Sequence, residues 1–264
     1  MLRKNDLLPP NIDRKIGNIL NVGVNSTPKA KLLAHFRRLE GKTFLVSFNP
    51  ELAVASTEDQ QLYNILANNS RNLADGVGIS KAMKFLYGQG CPLIKGREFF
   101  WDLVSLANKK GWKVYLLGGE AGVAEKTRET LKLNFRKVSF LSNSGPKLDN
   151  QANPVSEVDR KITTDVVSEI NQFKPHLLFV AFGAPKQEKW IYKNLPKLNV
   201  NLAMGVGGTF DYITGKRKLP PKWMEKHGLE WVWRLITQPK RIKRVINAAL
   251  IFPLKIFLYK IKLE

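Results

Sequence analysis

"HLLFVAFGAPKQEKW", residues 176–190, begins as an apolar run, stops at Gly183 and Pro185, and then presents Lys186, Gln187, Glu188 and Lys189. A short run that is apolar along its length and bounded by Gly and Pro is the pattern of a strand buried on both faces. Polar side chains beyond the end of such a strand stand where open α/β sheets bind their ligands. The stretch therefore predicts both a kind of sheet and one wall of a site.

Similar runs recur at "NILNVGV" (18–24), "TFLVSF" (43–48), "KVYLLG" (113–118), "KVSFL" (137–141) and "NLAMGVG" (201–207). Helical patterns separate most of them, as in "STPKAKLLAHFRRLE" (26–40), where Ser26 or Thr27 is expected as N-cap and Pro28 in the first turn. Alternation of this kind predicts an α/β fold with a mostly parallel sheet and helices on both faces. No internal repeat is present. Residues 142–157, "SNSGPKLDNQANPVSE", read as a long loop able to cover or line a site. From Gly228 the pattern turns helical and basic, with interruptions expected at Pro239 and Pro253. The expected organisation is an N-terminal extension (1–17), an α/β catalytic domain (18–227) and a C-terminal helical appendage (228–264).

The 264 residues, 44% of them hydrophobic, suffice for a full core. Lys and Arg number 43 against 22 acidic residues, a net charge of +21 that favours polyanions: nucleic acid, phosphorylated substrates or anionic lipid. Residues 215–264 hold thirteen Lys or Arg and three acidic residues, close to half of that excess. The single Cys91 cannot pair internally, which fits a reducing compartment and a buried apolar role. The N-terminus lacks the apolar core of a secretory signal. The longest uncharged apolar run, Val245 to Leu254, is about half of the roughly 20 residues a spanning helix needs, so no membrane crossing is expected.

The ends of the apolar runs collect Ser47 and Asn49, Gly118 and Gly119, Gly183 through Glu188, and Gly207, Gly208 and Asp211. "LLGGEAG" and "GVGGTF" are glycine turns leading into helices, where backbone N–H groups can meet phosphate, although both serve equally as tight strand-to-helix turns. Neither is GxGxxG, so an NAD-dependent oxidoreductase loses its fingerprint. Asp75 in "NLADGVG" reads as a partly desolvated base or as a solvated turn aspartate, and Asp211 as a ribose ligand or a helix cap. No two aspartates stand at D-x-D spacing, and the nearest pattern, Glu157 and Asp159, lies at the end of the 142–157 loop, so no metal is expected, nor any other cofactor. Arg234, Arg241 and Arg244 are spaced to share a helix face if Pro239 leaves that helix straight, and would grip a diphosphate. Phe252, Phe257 and Tyr259 among Lys255, Lys260 and Lys262 have the makeup of an interfacial segment on an anionic membrane, or of a terminal helix packed on the domain or a second subunit.

"SFNPE" (47–51), "ADGVG" (74–78), "KGREFF" (95–100), "LLGGEAGVAEK" (116–126), "KPHLLFVAFGAPKQEKWI" (174–191), "GVGGTFDYITG" (205–215) and "PKWMEKHGLEWVWRLITQPKRIKR" (221–244) together resemble the WecG/TagA/CpsF glycosyltransferases. The resemblance implies a Rossmann-like fold acting at the cytoplasmic membrane face, with transfer of N-acetylmannosamine or a related sugar from a UDP donor to undecaprenyl-diphosphate-linked N-acetylglucosamine. It implies Asp75 as the general base of an inverting reaction and Ser47, Asn49 and Gln187 as sugar-positioning groups. Gly118, Gly119, Gly183, Gly207, Gly208 and Asp211 would hold UDP, and Arg234, Arg241 and Arg244 the lipid diphosphate. Three departures stand out: Ser47 replaces a usual threonine, Leu219-Pro220-Pro221 replaces a usual Arg-Ala-Pro so that the arginine's role falls to Arg217 or Lys218 or is absent, and residues 1–17 find no counterpart in the resemblance. Self-association into a homo-oligomer is left open. The rival reading is a basic nucleic-acid-binding α/β protein, for which the continuous aliphatic run of the tail is ill suited.

Overall fold

A computed structural model describes residues 15–227, 229–239 and 242–263. Its sheet has eight strands: β1 (Lys15–Ile19), β2 (Val22–Asn25), β3 (Thr43–Phe48), β4 (Arg71–Ala74), β5 (Lys113–Gly118), β6 (Ser139–Asn143), β7 (Leu177–Ala181) and β8 (Leu202–Gly205). Their order is β1-β2-β4-β3-β8-β7-β5-β6, parallel throughout except for the β1–β2 pair. The helices are α1 (Lys29–Phe36), α2 (Pro50–Ser56), α3 (Gln60–Asn68), α4 (Val77–Tyr87), α5 (Gly96–Lys110), α6 (Val123–Asn134), α7 (Glu157–Phe173) and α8 (Lys186–Asn194). After these come α9 (Thr209–Ile213), α10 (Lys222–Lys226), α11 (Glu230–Thr237), α12 (Ile242–Ile246) and α13 (Phe252–Ile261).

Both faces of the central strands are buried, as their unbroken apolar character requires. Phe44, Val46 and Phe48 of β3, Tyr115 and Leu117 of β5, and Leu178 and Val180 of β7 enter one core with α2, α3, α4 and α8. The alternate residues Leu45, Val114, Leu116, Leu177 and Phe179 enter a second core with α1 and α5 on the opposite face. Period-2 alternation thus sorts one set of strands into two layers of packing. The sheet is the Rossmann-like α/β architecture expected.

Four local expectations are corrected. "NILNVGV" is a hairpin rather than one strand, because Leu20 and Asn21 both take positive φ and turn β1 back onto β2. This hairpin also draws residues 15–17, assigned above to the extension, into the sheet. Helix α1 starts at Lys29 with Pro28 as its cap, while Ser26 and Thr27 are buried ahead of it. Pro253 does not interrupt the last helix: residues Asn247–Ile251 form a wide π-type turn that runs into α13, accommodating the position where proline offers no N–H. The break at Pro239 does occur, between α11 and α12.

Candidate active site

All parallel strands end on one edge of the sheet, and a cavity of about 840 Å³ opens there. Its wall takes in Ser47, Asn49, Asp75, Gly183, Gln187 and Asp211, together with Gly119, Gly207, Gly208 and Arg244. Six sequence segments far apart in the chain therefore meet in one place. Gly118 does not line it; with φ +100 it lies against Ala181 and Phe182, where an added Cβ would come within 3.0 Å of both.

The floor is built by β3, β4 and the start of α5. Asp75 follows the last residue of β4 and its N–H donates to Phe48 O at 2.9 Å, which fixes the carboxyl at the strand end. Gly96 opens α5 so closely against this point that a Cβ there would sit 1.9 Å from Ser47 Oγ and 3.4 Å from Asp75 Oδ2. Ser47 Oγ is buried and, among the described residues, makes no hydrogen bond. A hydroxyl held beside a carboxylate without a protein partner is poised for a ligand, since leaving it unmade is costly. Asn49 contributes differently: its Oδ1 caps α2 by accepting from Leu52 N–H at 3.0 Å, which leaves its Nδ2 as a donor.

The β7 wall answers the opening stretch. Gly183, with φ +78, and a cis Ala184–Pro185 bond turn the chain into α8. Gln187 does not project freely: its Oε1 accepts from Gly207 N–H at 3.0 Å and its Nε2 donates to Glu188 Oε1 at 2.8 Å. Gly119 N–H is likewise spent, on Ala181 O at 3.1 Å. These two turn amides therefore shape the wall instead of offering N–H groups to phosphate. Lys186, Lys189 and Lys193 on α8 all reach the 142–157 loop: Lys186 Nζ donates to Leu148 O at 2.8 Å, Lys189 to Asn150 O at 3.3 Å, and Lys193 to Gln151 O at 2.7 Å. Pro146, Lys147 and Leu148 of that loop line the cavity, as expected of it.

Positive charge around the cavity comes from residues that the pattern of strand ends did not single out. Lys95 pairs with Glu230 of α11 at 3.1 Å, and Arg97 lies 5.5 Å over the Tyr212 ring. Arg217, considered above only as a substitute, pairs with Asp211 at 3.1 Å and packs over Gly208. Asp211 thus faces a guanidinium at the cavity wall. Arg244 pairs with Glu51 and reaches Ala184 O at 3.4 Å. Arg241 lies outside the described residues, as does the side chain of Arg234. The break at Pro239 puts Arg234 and Arg244 on separate helices, so a shared helix face is not what brings Arg244 to the site. "KGR" at the head of α5 was the available signal for Lys95 and Arg97, because basic residues at a helix start are unfavourable unless something anionic faces them.

The pattern that describes the glycosyl transferase WecG/TagA/CpsF family matches residues 17–264. The chain belongs to this family. Among similar curated proteins are the N-acetylglucosaminyldiphosphoundecaprenol N-acetyl-beta-D-mannosaminyltransferases of Staphylococcus aureus strains NCTC 8325 and COL. Each is 29% identical over 249 residues, covering 92% of this chain and 91% of its own length. Membership decides between the competing readings: this WecG/TagA/CpsF protein is a glycosyl transferase, and the nucleic-acid-binding and oxidoreductase alternatives fall away. Among the described residues of the transferase, no group of three or more His, Cys, Asp or Glu is arranged to hold a metal ion.

Proposed function

We propose that this glycosyl transferase moves N-acetylmannosamine, or a closely related sugar, from a UDP donor to N-acetylglucosamine linked through diphosphate to undecaprenol, with inversion at the donor's anomeric carbon. The observation that carries the reading is the floor of the cavity, where Asp75 and the unpartnered Ser47 hydroxyl flank a glycine with no room for a side chain. The names of the Staphylococcus relatives supply the sugar and the acceptor. Asp75 takes the proton from the acceptor hydroxyl as that oxygen attacks, while Ser47 Oγ and Asn49 Nδ2 hold the sugars. Charge on the departing UDP and on the acceptor diphosphate is met by Arg217 and Arg244, whose present carboxylate partners yield to phosphate.

The reading includes a peripheral position on the inner membrane face, with residues 228–264 as the membrane-associating appendage of the 18–227 body. Leu254, Phe257, Leu258 and Ile261 of α13 are each at least half exposed and fall along one side of the helix, whereas Phe252 and Ile256 on the other side are buried in the core. Among the described residues no helix is long and apolar enough to cross a membrane.

Removal of the base tests the mechanism. Asp75→Asn is expected to lower transfer from UDP-N-acetylmannosamine to a short-chain lipid-linked N-acetylglucosamine by about 10²- to 10⁴-fold. UDP affinity by calorimetry should stay nearly the same. Full turnover in the variant would remove Asp75 from the mechanism; transfer of a different sugar in a donor screen would replace the donor.

A further inference from the structure

Glu188 is 1% exposed, yet its Oε2 has no hydrogen-bond partner among the described residues. Burial pushes its carboxyl up to about 7, against the pull of the Gln187 amide, its own N–H and Arg244, and with a further push from Glu51. A helix gains nothing in stability from such a group, because an unsatisfied buried carboxyl is costly. Glu188 does not line the cavity, so it is not a substrate ligand. Among the described residues, the hydrogen bond it accepts from another side chain comes from Gln187, itself only 5% exposed.

That contact settles an orientation. A side-chain amide can present either its oxygen or its NH₂ to Gly207, and Gly207 N–H requires the oxygen. The Oε1 of Glu188 accepts from Gln187 Nε2 at 2.8 Å, so the amide's other end must be the oxygen that meets Gly207 N–H at 3.0 Å. Gly205 leaves room for this amide only because it lacks a side chain: a Cβ there would stand 2.6 Å from Gln187 Nε2. The relay is indifferent to the carboxyl's charge, since a proton would go to the unpartnered Oε2 and leave Oε1 an acceptor.

We propose that Glu188 is a positioning residue, acting through Gln187 to hold the 205–208 turn in the shape that forms one wall of the cavity. The effect on donor binding rests on the reading of this cavity as the UDP-sugar site; the effect on the turn does not.

Amide hydrogen exchange over 205–208 and steady-state kinetics on the full chain test it together. Glu188→Leu is expected to raise exchange at Gly207 and donor KM by about tenfold each, the scale of one lost hydrogen bond, with a smaller change in kcat. Glu188→Gln retains an accepting oxygen and should retain the protection. Gly205→Ala, which reaches the relay from the other side, should deprotect Gly207 as well. In a Gln187→Ala background Glu188→Leu should add nothing, whereas a role in general stability would add its full cost. Unchanged Gly207 exchange in Glu188→Leu, or additivity with Gln187→Ala, overturns the proposal. Lost protection with unchanged donor KM upholds the relay and takes the donor away from this wall.

Discussion

A carboxyl kept near neutrality by burial makes stability depend on pH in a direction opposite to that of most acidic residues. Glu188 has a folded-state value of about 7, above the ordinary carboxylate value, so between about pH 4.3 and 7 the folded chain binds a proton that the unfolded chain has lost. Its contribution therefore declines as the pH rises through that window. The charged groups facing it are Glu51 and Arg244, which oppose each other. Glu188→Gln removes this penalty, and the variant should gain on the parent protein by on the order of 3 kcal/mol between pH 5 and pH 8. Urea midpoints at the two pH values measure it; an equal offset at both would mean that the carboxyl is ionised throughout.

Helix α8 shows why a run of polar residues follows an apolar strand. Lys186, Lys189 and Lys193 recur at helical spacing and pin the 142–157 loop, and Lys189, wholly buried, also pairs with Asp59, the N-cap of α3. Burial alone would raise the Asp59 carboxyl, but Lys189 and the N–H groups of Leu62 and Gln61 outweigh it and hold it below the ordinary value. Asp149 and Asp159 in the same region are also held low, by Asn153 N–H and by the Ser156 hydroxyl respectively. Such depressed groups add stability that is fully present above the ordinary carboxylate value and is lost as the pH falls below it through their lowered values. Lys189→Met should therefore cost about 1–3 kcal/mol near neutrality by stranding the loop's acceptors, and should speed proteolytic cleavage within 144–155. A loop equally resistant in the variant would mean that the lysine is not its tether. The sequence displayed the loop and the helix separately, but nothing in either announced a buried ammonium between them. Strand β4 was hidden for a related reason: four residues that include Arg71 and Asn72 read as a turn, and only pairing with β2 and β3 makes them a strand. The apolar runs of β3, β5, β7 and β8 were legible because burial on both faces leaves no room for polar residues. Ser47 was legible as a strand end and Asp75 as an acidic residue ahead of two glycines, whereas the glycine that brings them together, Gly96, shows its purpose only in three dimensions.

For the whole molecule, the question is how a protein with no spanning helix among its described residues would work on the proposed lipid-linked acceptor. The last helix is part of the core on one side, through Phe252 and Ile256, and ion pairs Lys95–Glu230 and Glu51–Arg244 join α11 and α12 to the body at the cavity. Truncation at 228 would therefore unpack the core and strip the site as well as remove a membrane contact, so loss of activity in such a variant has no single meaning. A full-chain variant with Leu254, Phe257 and Leu258 all changed to Ser leaves the buried side of α13 intact. Each apolar side chain taken out of water is worth about 1.5–3 kcal/mol, and each Lys near an anionic surface about 1 kcal/mol. Lys255 and Lys262 adjoin the stripe and remain in the variant. Binding to anionic vesicles should then fall by at least about two orders of magnitude while the melting temperature barely moves, because the changed side chains are exposed. What binding remains should be electrostatic and should vanish in high salt, whereas binding by the parent protein should survive it in part. Unchanged sedimentation with the vesicles would move the membrane contact to another face and leave the stripe of α13 for a second subunit.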